Sequence, residues 1–280
     1  MARLVRTGVH TRVAAEPASF FSVLAPGRRV WAVGAIHGEA ERLAALHDEL
    51  RTRFTRGDRL VYLGNYLGHG AGVLAAQEHM LAFRREIIAR PGVFACDVAF
   101  LRGAQEEMWR KLLQLQFATG PGEVLEWMLG QGVEATLRAY RQDPREAKIA
   151  CREGALAIAK WTVQVRNAVH AHPGHDELLA SLRRAAITAG NELLFVAAGI
   201  DPNRPLKQQG DVFWWGSGYF SQLKGPYEDF RRVVRGCSRA RQGVDLDSYG
   251  ATIDGGAGFG GSLNAVCFDY GGKAVGWIEA

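Results

Sequence analysis

Three short apolar runs, each followed by a glycine-containing loop, constrain the fold of this chain more than any other feature. The runs and their loops are 30–33 with GAIHG (34–38), 60–62 with LGNYLGHG (63–70), and 98–100 with LRGAQE (101–106). Two stretches with apolar residues at helical spacing, 39–54 and 73–89, separate them. Alternation of short strands with helices is typical of α/β folds with parallel strands. The first half therefore predicts an α/β architecture with a mainly parallel sheet.

The second half divides into a helical stretch and a strand-rich end. From Gln105 to about 190 the apolar spacing is helical, with breaks at glycine and proline pairs. The predicted strands after it are 193–197, 231–234, 251–253, 263–269 and 274–278. We see no repeat and no linker that would divide the chain. We expect one domain over 1–280, with a helical insertion at about 105–190.

Composition places the chain among ordinary globular proteins, because 48% of its 280 residues are hydrophobic and 22% are charged. A net charge of +5 permits an anionic partner, but the arginines are scattered, so we do not expect nucleic acid to be the partner. Four separate cysteines without a CxxC pair indicate reduced thiols. No apolar run is long enough for a signal core or for the ~18 residues of a membrane span. We expect a cytoplasmic protein without a membrane partner.

The order, the strand context and the spacing of the three loops resemble those of the calcineurin-like metallophosphoesterases. The resemblance is to the branch of serine/threonine protein phosphatases and diadenosine tetraphosphatases, and it extends from about residue 30 to 268. In that family the loops read GDxHG, GDxxDRG and GNHE. The resemblance implies a four-layer α/β/β/α sandwich with a helical insertion. It also implies a site where two divalent cations and a histidine general acid hydrolyse a phosphoester.

The resemblance assigns the family's metal-binding, phosphate-binding and catalytic positions to residues that have mostly lost that chemistry. These vestigial positions are Ala35, His37, Asn65, His69, Ala104, Gln105, Ala197 and Cys237. Alanine offers no lone pair to a metal. A neutral asparagine stands where the carboxylate that bridges the two metals is expected. Glutamine stands where the general acid is expected, and it cannot exchange a proton near neutral pH. We therefore expect no catalytic residue here.

Only His37, Asn65 and Cys237 among these positions could still ligate a metal, and asparagine is a poor zinc ligand. We therefore expect no metal and no cofactor. The alternative is a single divalent metal, Mn, Zn or Fe, on these side chains. Loss of the carboxylates together with the imidazoles leaves the cleft neutral without an ion, which avoids the cost of unpaired buried charge.

These losses predict a pseudophosphatase that binds or scaffolds rather than hydrolyses. The expected partner is another protein, with a phosphoprotein or a nucleotide as further options. Trp214 and Trp215 are equally well explained as core or as an anchor for a partner peptide. One alternative is a residual metal-dependent serine/threonine phosphatase or phosphoesterase, a hydrolase with a rebuilt site. Another is a structural subunit of a larger assembly.

Two further motifs have ordinary structural explanations. The segment 256–261 matches GxGxxG, but a predicted strand rather than a helix follows it, so we do not predict a dinucleotide site. His170, His172, His175 and Asp176 lie close together around Pro173 and could form a small metal cluster. We favour a solvated junction between two helices at this point.

Overall fold

The structure is a computed structural model that describes residues 20–280. The strands, numbered β1 to β11, are Phe21–Leu24, Arg29–Val33, Asp58–Tyr62, Val98–Phe100, Ala185–Thr188, Leu193–Val196, Arg232–Arg235, Gly243–Leu246, Gly250–Asp254, Asn264–Asp269 and Ala274–Glu279. The helices, numbered α1 to α10, are Ala40–Arg53, Val73–Ile88, Ala104–Leu112, Pro121–Met128, Glu134–Ala139, Pro144–Glu153, Ala155–His170, His175–Ser181, Val212–Trp215 and Ser217–Phe220.

Two mixed sheets form the centre of the molecule. One has the strand order β11-β10-β2-β3-β4, and its β2, β3 and β4 are parallel neighbours. The other has the order β1-β5-β6-β7-β9-β8, with β6, β7 and β9 parallel. The predicted parallel start is therefore confirmed for the three strands that carry the glycine loops. Because parallel strands end at the same edge, all three loops lie together.

Buried apolar side chains occupy three layers around the sheets. A cluster that includes Val61, Phe195 and Phe268 lies between them. The outer face of the β2 sheet packs on α1 and α2, and α1 buries Leu43, Leu46 and Leu50 as its spacing predicts. Short segments around α9 and α10 cover the outer face of the other sheet. Helices on both outer faces of two packed sheets confirm the four-layer α/β/β/α sandwich.

The helical insertion differs from its prediction at its end. Helices run from Ala104 to Ser181, but β5 at Ala185–Thr188 is a strand rather than the end of a helix. It is largely buried, and it pairs in parallel with β1, which the sequence did not indicate. Short apolar runs have no period that separates strand from helix, so only the distant partner strand decided this. Strand β8 was missed for the same reason. The single-domain organisation over 1–280 stays a prediction.

Within residues 20–280, no helix is long and apolar enough to cross a membrane.

Candidate functional site

Backbone hydrogen bonds tie the vestigial positions together at the carboxyl ends of the parallel strands. The His37 N–H donates to the Asn65 carbonyl at 2.7 Å, which fixes the loop after β2 on the loop after β3. The second sheet contributes in the same way. The Ala35 N–H donates to the Gly236 carbonyl at 3.0 Å, and the Cys237 N–H donates to the Ala197 carbonyl at 2.9 Å. The structure thus brings these sequence-predicted positions into one cleft.

Glu106 fastens the loops from inside, a role that the sequence reasoning missed. Its carboxylate is 3% exposed and accepts four backbone N–H groups at 2.7–3.0 Å, those of Asn65, Tyr66, Leu67 and Gly103. Burial raises the pKa of Glu106, and the backbone N–H groups oppose that shift. The signal available was the final glutamate of the LRGAQE loop. This carboxylate binds backbone rather than any ligand.

Three non-glycine residues in the cleft adopt left-handed backbone conformations. The φ angles of His37, Asn65 and His69 are 49°, 56° and 53°. Such conformations cost roughly 1–3 kcal/mol each and persist only where the surroundings impose them. All three fall at vestigial positions. The loops therefore have a strained geometry at three of the positions that the resemblance assigns to the family's site.

Asn65 and Gln105 are engaged in structural hydrogen bonds. The Asn65 side-chain oxygen accepts from the Gln105 N–H at 3.1 Å, in the first turn of α3. The Gln105 side-chain amide donates to the Gln131 carbonyl at 2.7 Å. Ala104, half-buried at the start of the same helix, has no donor atom to add. The glutamine, which stands at the position that the resemblance assigns to the general acid, therefore links α3 to the segment that follows α4.

His37 is a neutral, buried imidazole. Its ring is packed inside the cleft, and its Nδ1 lies 3.3 Å from the Leu67 carbonyl oxygen. Burial, together with the neighbouring His69 and Arg241, lowers the pKa of His37 to about 3. An Nδ1 that donates to a carbonyl leaves only Nε2 for a metal. One free ring nitrogen is all that this residue offers.

Phe259 covers the two histidines from the solvent side. Its ring centroid lies 5.3 Å from that of His37 and 4.3 Å from that of His69, and the Arg241 guanidinium stacks on its other side. Gly258 makes this approach possible, because a Cβ there would lie 2.4 Å from the His37 Cβ and its φ is +81°. The GxGxxG segment thus forms a cover over the cleft, and a strand follows it as predicted.

Cys237 and Asp254 form the far wall of the cleft. Burial, together with the nearby Asp254 carboxylate, raises the pKa of the Cys237 thiol to about 12. Asp254 accepts from the Ser238 and Gly256 N–H groups at 2.6 and 3.0 Å, so its charge stabilises the turn. The thiolate is the form that binds metal, and this wall disfavours it. The sequence reasoning assigned no role to Asp254.

The residues of the cleft do not fit a binuclear metal centre. Two dications at close range need a bridging anion, and the bridging position holds the neutral Asn65, whose oxygen already accepts from Gln105. Ala35, Ala104 and Ala197 offer no side-chain donor. His37 adds one free nitrogen, and Cys237 is held as a thiol. No hydrolytic step through two metals can be derived from this donor set.

The tryptophan pair does not form an exposed anchor. Trp214 is 4% exposed and belongs to the core of the second sheet, with Arg102 and Arg184 near its ring. Trp215 is half-buried, and its ring lies 6.0 Å from that of Trp127. The core interpretation holds for Trp214. Only Trp215, beside the half-exposed Trp127, retains a surface that a partner could contact.

No family model matches the sequence, and no curated protein matches it. Solved structures do match its fold. A candidate diadenosine tetraphosphatase has a TM-score of 0.53 and 18% identity, and the match covers 92% of this chain and 98% of that chain. A cold-active protein-tyrosine phosphatase from a psychrophilic Shewanella species has a TM-score of 0.53 and 14% identity, covering 90% and 81%. A protein serine/threonine phosphatase from Saccharomyces cerevisiae has a TM-score of 0.50 and 12% identity, covering 92% and 82%.

These sequence identities are low, so the matches show a similar fold and nothing more. They agree with the four-layer sandwich and with the loops at the ends of β2, β3 and β4. This chain has the calcineurin-like metallophosphoesterase fold.

Proposed function

We propose that this chain is a pseudophosphatase, a metallophosphoesterase-like protein that binds another protein and does not hydrolyse phosphoesters. The observation that carries the proposal is the donor set of the cleft. Alanines occupy three ligand positions, and Gln105 occupies the position of the general acid. The loops that would present these groups are held by hydrogen bonds to the Glu106 carboxylate. Phosphoester hydrolysis by the family mechanism has no group here to supply it.

Side chains close the cleft, which also has few groups that could bind a metal or transfer a proton. Phe259 covers His37 and His69, and Gln105 reaches across to the Gln131 carbonyl. These side chains fill space between the loops, which supports the absence of a substrate site there. They also make the cleft a rigid part of the fold. A partner is therefore better sought on the outer surface than inside the cleft.

Exposed apolar side chains of the helical insertion support a protein partner. Leu156 on α7 is 73% exposed, and other large apolar side chains project from neighbouring helical segments that pack together. These additional exposed residues are Phe117, Trp127, Ile149 and Val163. Large exposed apolar groups are typical of surfaces that bind other proteins. A phosphoprotein or a nucleotide remains a second kind of ligand, with the mildly basic net charge of +5 in its favour.

The test is hydrolysis of p-nitrophenyl phosphate by the purified chain with and without added Mn²⁺. We compare the wild type with a His37→Ala/Cys237→Ala double variant, and with Cys151→Ala as a control outside the cleft. We expect no turnover that depends on the cleft residues. Activity that copurifies with the wild type, survives Cys151→Ala and disappears in the double variant would establish the rival, a residual metal-dependent phosphoesterase.

The binding half of the proposal needs its own measurement. Leu156→Glu introduces a charge on the helical surface. It should abolish the recovery of the crosslinked complex with a protein partner. A charge on the edge strand β11, Val275→Glu, replaces a side chain that is also exposed and should leave recovery unchanged. Equal recovery with both variants would exclude the helical surface as the binding site.

A further inference from the structure

A second group of metal-binding residue types lies outside the cleft, between α2 and the turn that joins α7 to α8. Glu78 of α2, His172 of the turn and His175 at the start of α8 each present one ligand atom, and these atoms all lie within 4.8 Å of one another. The two histidines belong to the cluster that the sequence reasoning interpreted as a solvated junction. Glu78 comes from a distant part of the chain, so the sequence could not indicate it.

The turn between α7 and α8 holds the imidazoles of His172 and His175 next to each other. The His175 N–H donates to the His172 carbonyl at 3.2 Å, and the two rings stack with centroids 5.2 Å apart. Gly174 lies between them with a φ of +86°, and a Cβ there would lie 3.0 Å from Leu81 of α2. Since Leu81 is one helical turn beyond Glu78, this close approach brings the carboxylate to the same side.

His175 is buried, and one of its nitrogens has no partner among the described residues. The residue is 0% exposed, and its Nε2 has no hydrogen-bond partner within the part of the chain that the structure describes. Its Nδ1 lies 2.8 Å from the Tyr140 hydroxyl, and the Gln77 amide donates to that hydroxyl at 2.9 Å. In the tautomer with the proton on Nδ1, the hydroxyl accepts from both groups, and the Nε2 lone pair is free for a metal.

The Gln77–Tyr140–His175 chain matches the support that metal-binding histidines normally have. Metal ligands of this type donate their second ring N–H to an oxygen, which fixes the ring orientation. Burial also lowers the pKa of His175, so the ring is neutral near pH 7, the form that binds a metal. A buried, unpaired polar atom without such a role would be costly to the fold.

We infer that Glu78, His172 and His175 form a mononuclear site for a divalent transition metal of the zinc class, independent of the cleft. Two imidazoles and a carboxylate with one open position are a recognised zinc donor set. Tetrahedral ligands that share one zinc ion at about 2 Å lie about 3.3 Å apart, so the most distant donors close in by roughly 1.5 Å. Glu78 is exposed and His172 half-buried, so both side chains are free to rotate. The ion joins α2 to the helical insertion.

The experiment is isothermal titration calorimetry of the metal-stripped full chain with zinc chloride. We expect one zinc ion per wild-type chain. His172→Ala and Glu78→Gln should each weaken binding by at least ~10-fold, because even outer-shell partners of a metal site contribute that much. Both residues lie at the surface, so the apo variants should keep the wild-type circular dichroism spectrum. The matched control is His79→Ala, which removes an exposed histidine from the adjacent position of α2.

Cobalt(II) absorption separates this site from the cleft. A site of two histidines and a glutamate gives d–d bands without a thiolate-to-cobalt charge-transfer band, whereas cobalt on Cys237 would give that band. His37→Ala and Cys237→Ser should leave zinc affinity unchanged. Absence of stoichiometric zinc binding, or binding that His172→Ala and Glu78→Gln leave intact, would overturn the inference. Binding lost in Cys237→Ser would also overturn it and would contradict the proposed function as well.

Discussion

The cleft and the Glu78 cluster contrast in what their side chains are free to do. In the cleft, three loop residues have left-handed backbone conformations, and several of the polar side chains are already hydrogen-bonded within the protein. Asn65 accepts from Gln105, and Glu106 is occupied by four backbone N–H groups. In the cluster, an ordinary turn between helices presents a free imidazole nitrogen beside a second histidine and a carboxylate. A strained loop geometry therefore does not by itself make a metal-binding site.

The comparison shows that the groups that hold the backbone in place are different from the groups that could bind a ligand. The cleft remains folded because backbone hydrogen bonds and a buried carboxylate hold its loops. That framework therefore does not depend on metal-ligating side chains. The cluster arises where side chains from separate helices meet by packing. Four predictions test this contrast, and they follow in order of decreasing effect.

The largest effect is expected from Glu106→Gln. The glutamine oxygen can accept from only some of the four backbone N–H groups, and its NH2 group is itself a donor that would face the others. Several buried N–H groups would therefore lose their acceptor. We expect the free energy of unfolding to fall by about 4 kcal/mol, measured by urea denaturation. Glu123→Gln, an exposed position on α4, should change it by less than about 0.5 kcal/mol. Similar values for the two variants would mean that Glu106 does not hold the loops.

Acid should destabilise the chain through His37. Its folded pKa is about 3, and that of an unfolded histidine is about 6.5, so the folded state excludes a proton that the unfolded state binds. The stabilisation is complete above pH 6.5 and is lost as pH falls from 6.5 towards 3, at about 1.4 kcal/mol per unit. Between pH 6.5 and 4.5 this amounts to about 2.7 kcal/mol.

His37→Gln removes the titrating group, so its unfolding free energy should fall less steeply with acid than that of the wild type. The comparison uses urea denaturation at a series of pH values, with the exposed His79→Gln as control. If the unfolding free energy fell equally steeply with acid in the wild type and in His37→Gln, the His37 imidazole would take up a proton in the folded state. That result would contradict its burial under Phe259.

Asn65→Ala should cost about 1–2 kcal/mol of unfolding free energy. It removes the acceptor for the Gln105 N–H. It also places alanine at φ 56°, a left-handed conformation that asparagine tolerates better because its side chain hydrogen-bonds locally. Asn65→Asp keeps the acceptor and Asn65→Gly keeps the conformation, so the pair separates the two contributions in thermal denaturation. A neutral Asn65→Ala would indicate that the left-handed turn is not imposed by this side chain.

The smallest effect is expected from Phe259→Ala. The ring is 40% exposed, so its loss with the Arg241 stacking should cost about 1 kcal/mol. Its chemical consequence is larger, because it uncovers His37 and His69. Modification of histidine by diethyl pyrocarbonate should therefore become faster than in the wild type. Tyr219→Ala, at a similarly exposed ring, is the control. Unchanged modification rates would mean that the ring does not cover the cleft.

Local patterns were enough to predict the elements on which the cleft is built. The apolar runs predicted β2, β3 and β4 within about one residue, and the helical spacing predicted α1 and α2. The helical insertion was correct in type but extended too far, because β5 is recognisable only by its pairing with β1. Trp214 could not be placed from sequence either, since an apolar aromatic fits a core and a binding surface equally well.

The sequence by itself determined the fold class and the identity of the side chains at the vestigial positions. Strand and helix periods are local properties, and an alanine lacks a donor wherever it lies. Only the tertiary structure decided that Glu106 binds four backbone N–H groups, that Phe259 covers the histidines and that Glu78 meets His172 and His175. Each of these depends on distances between residues far apart in the chain. No local pattern encodes such distances, because packing of the whole molecule sets them.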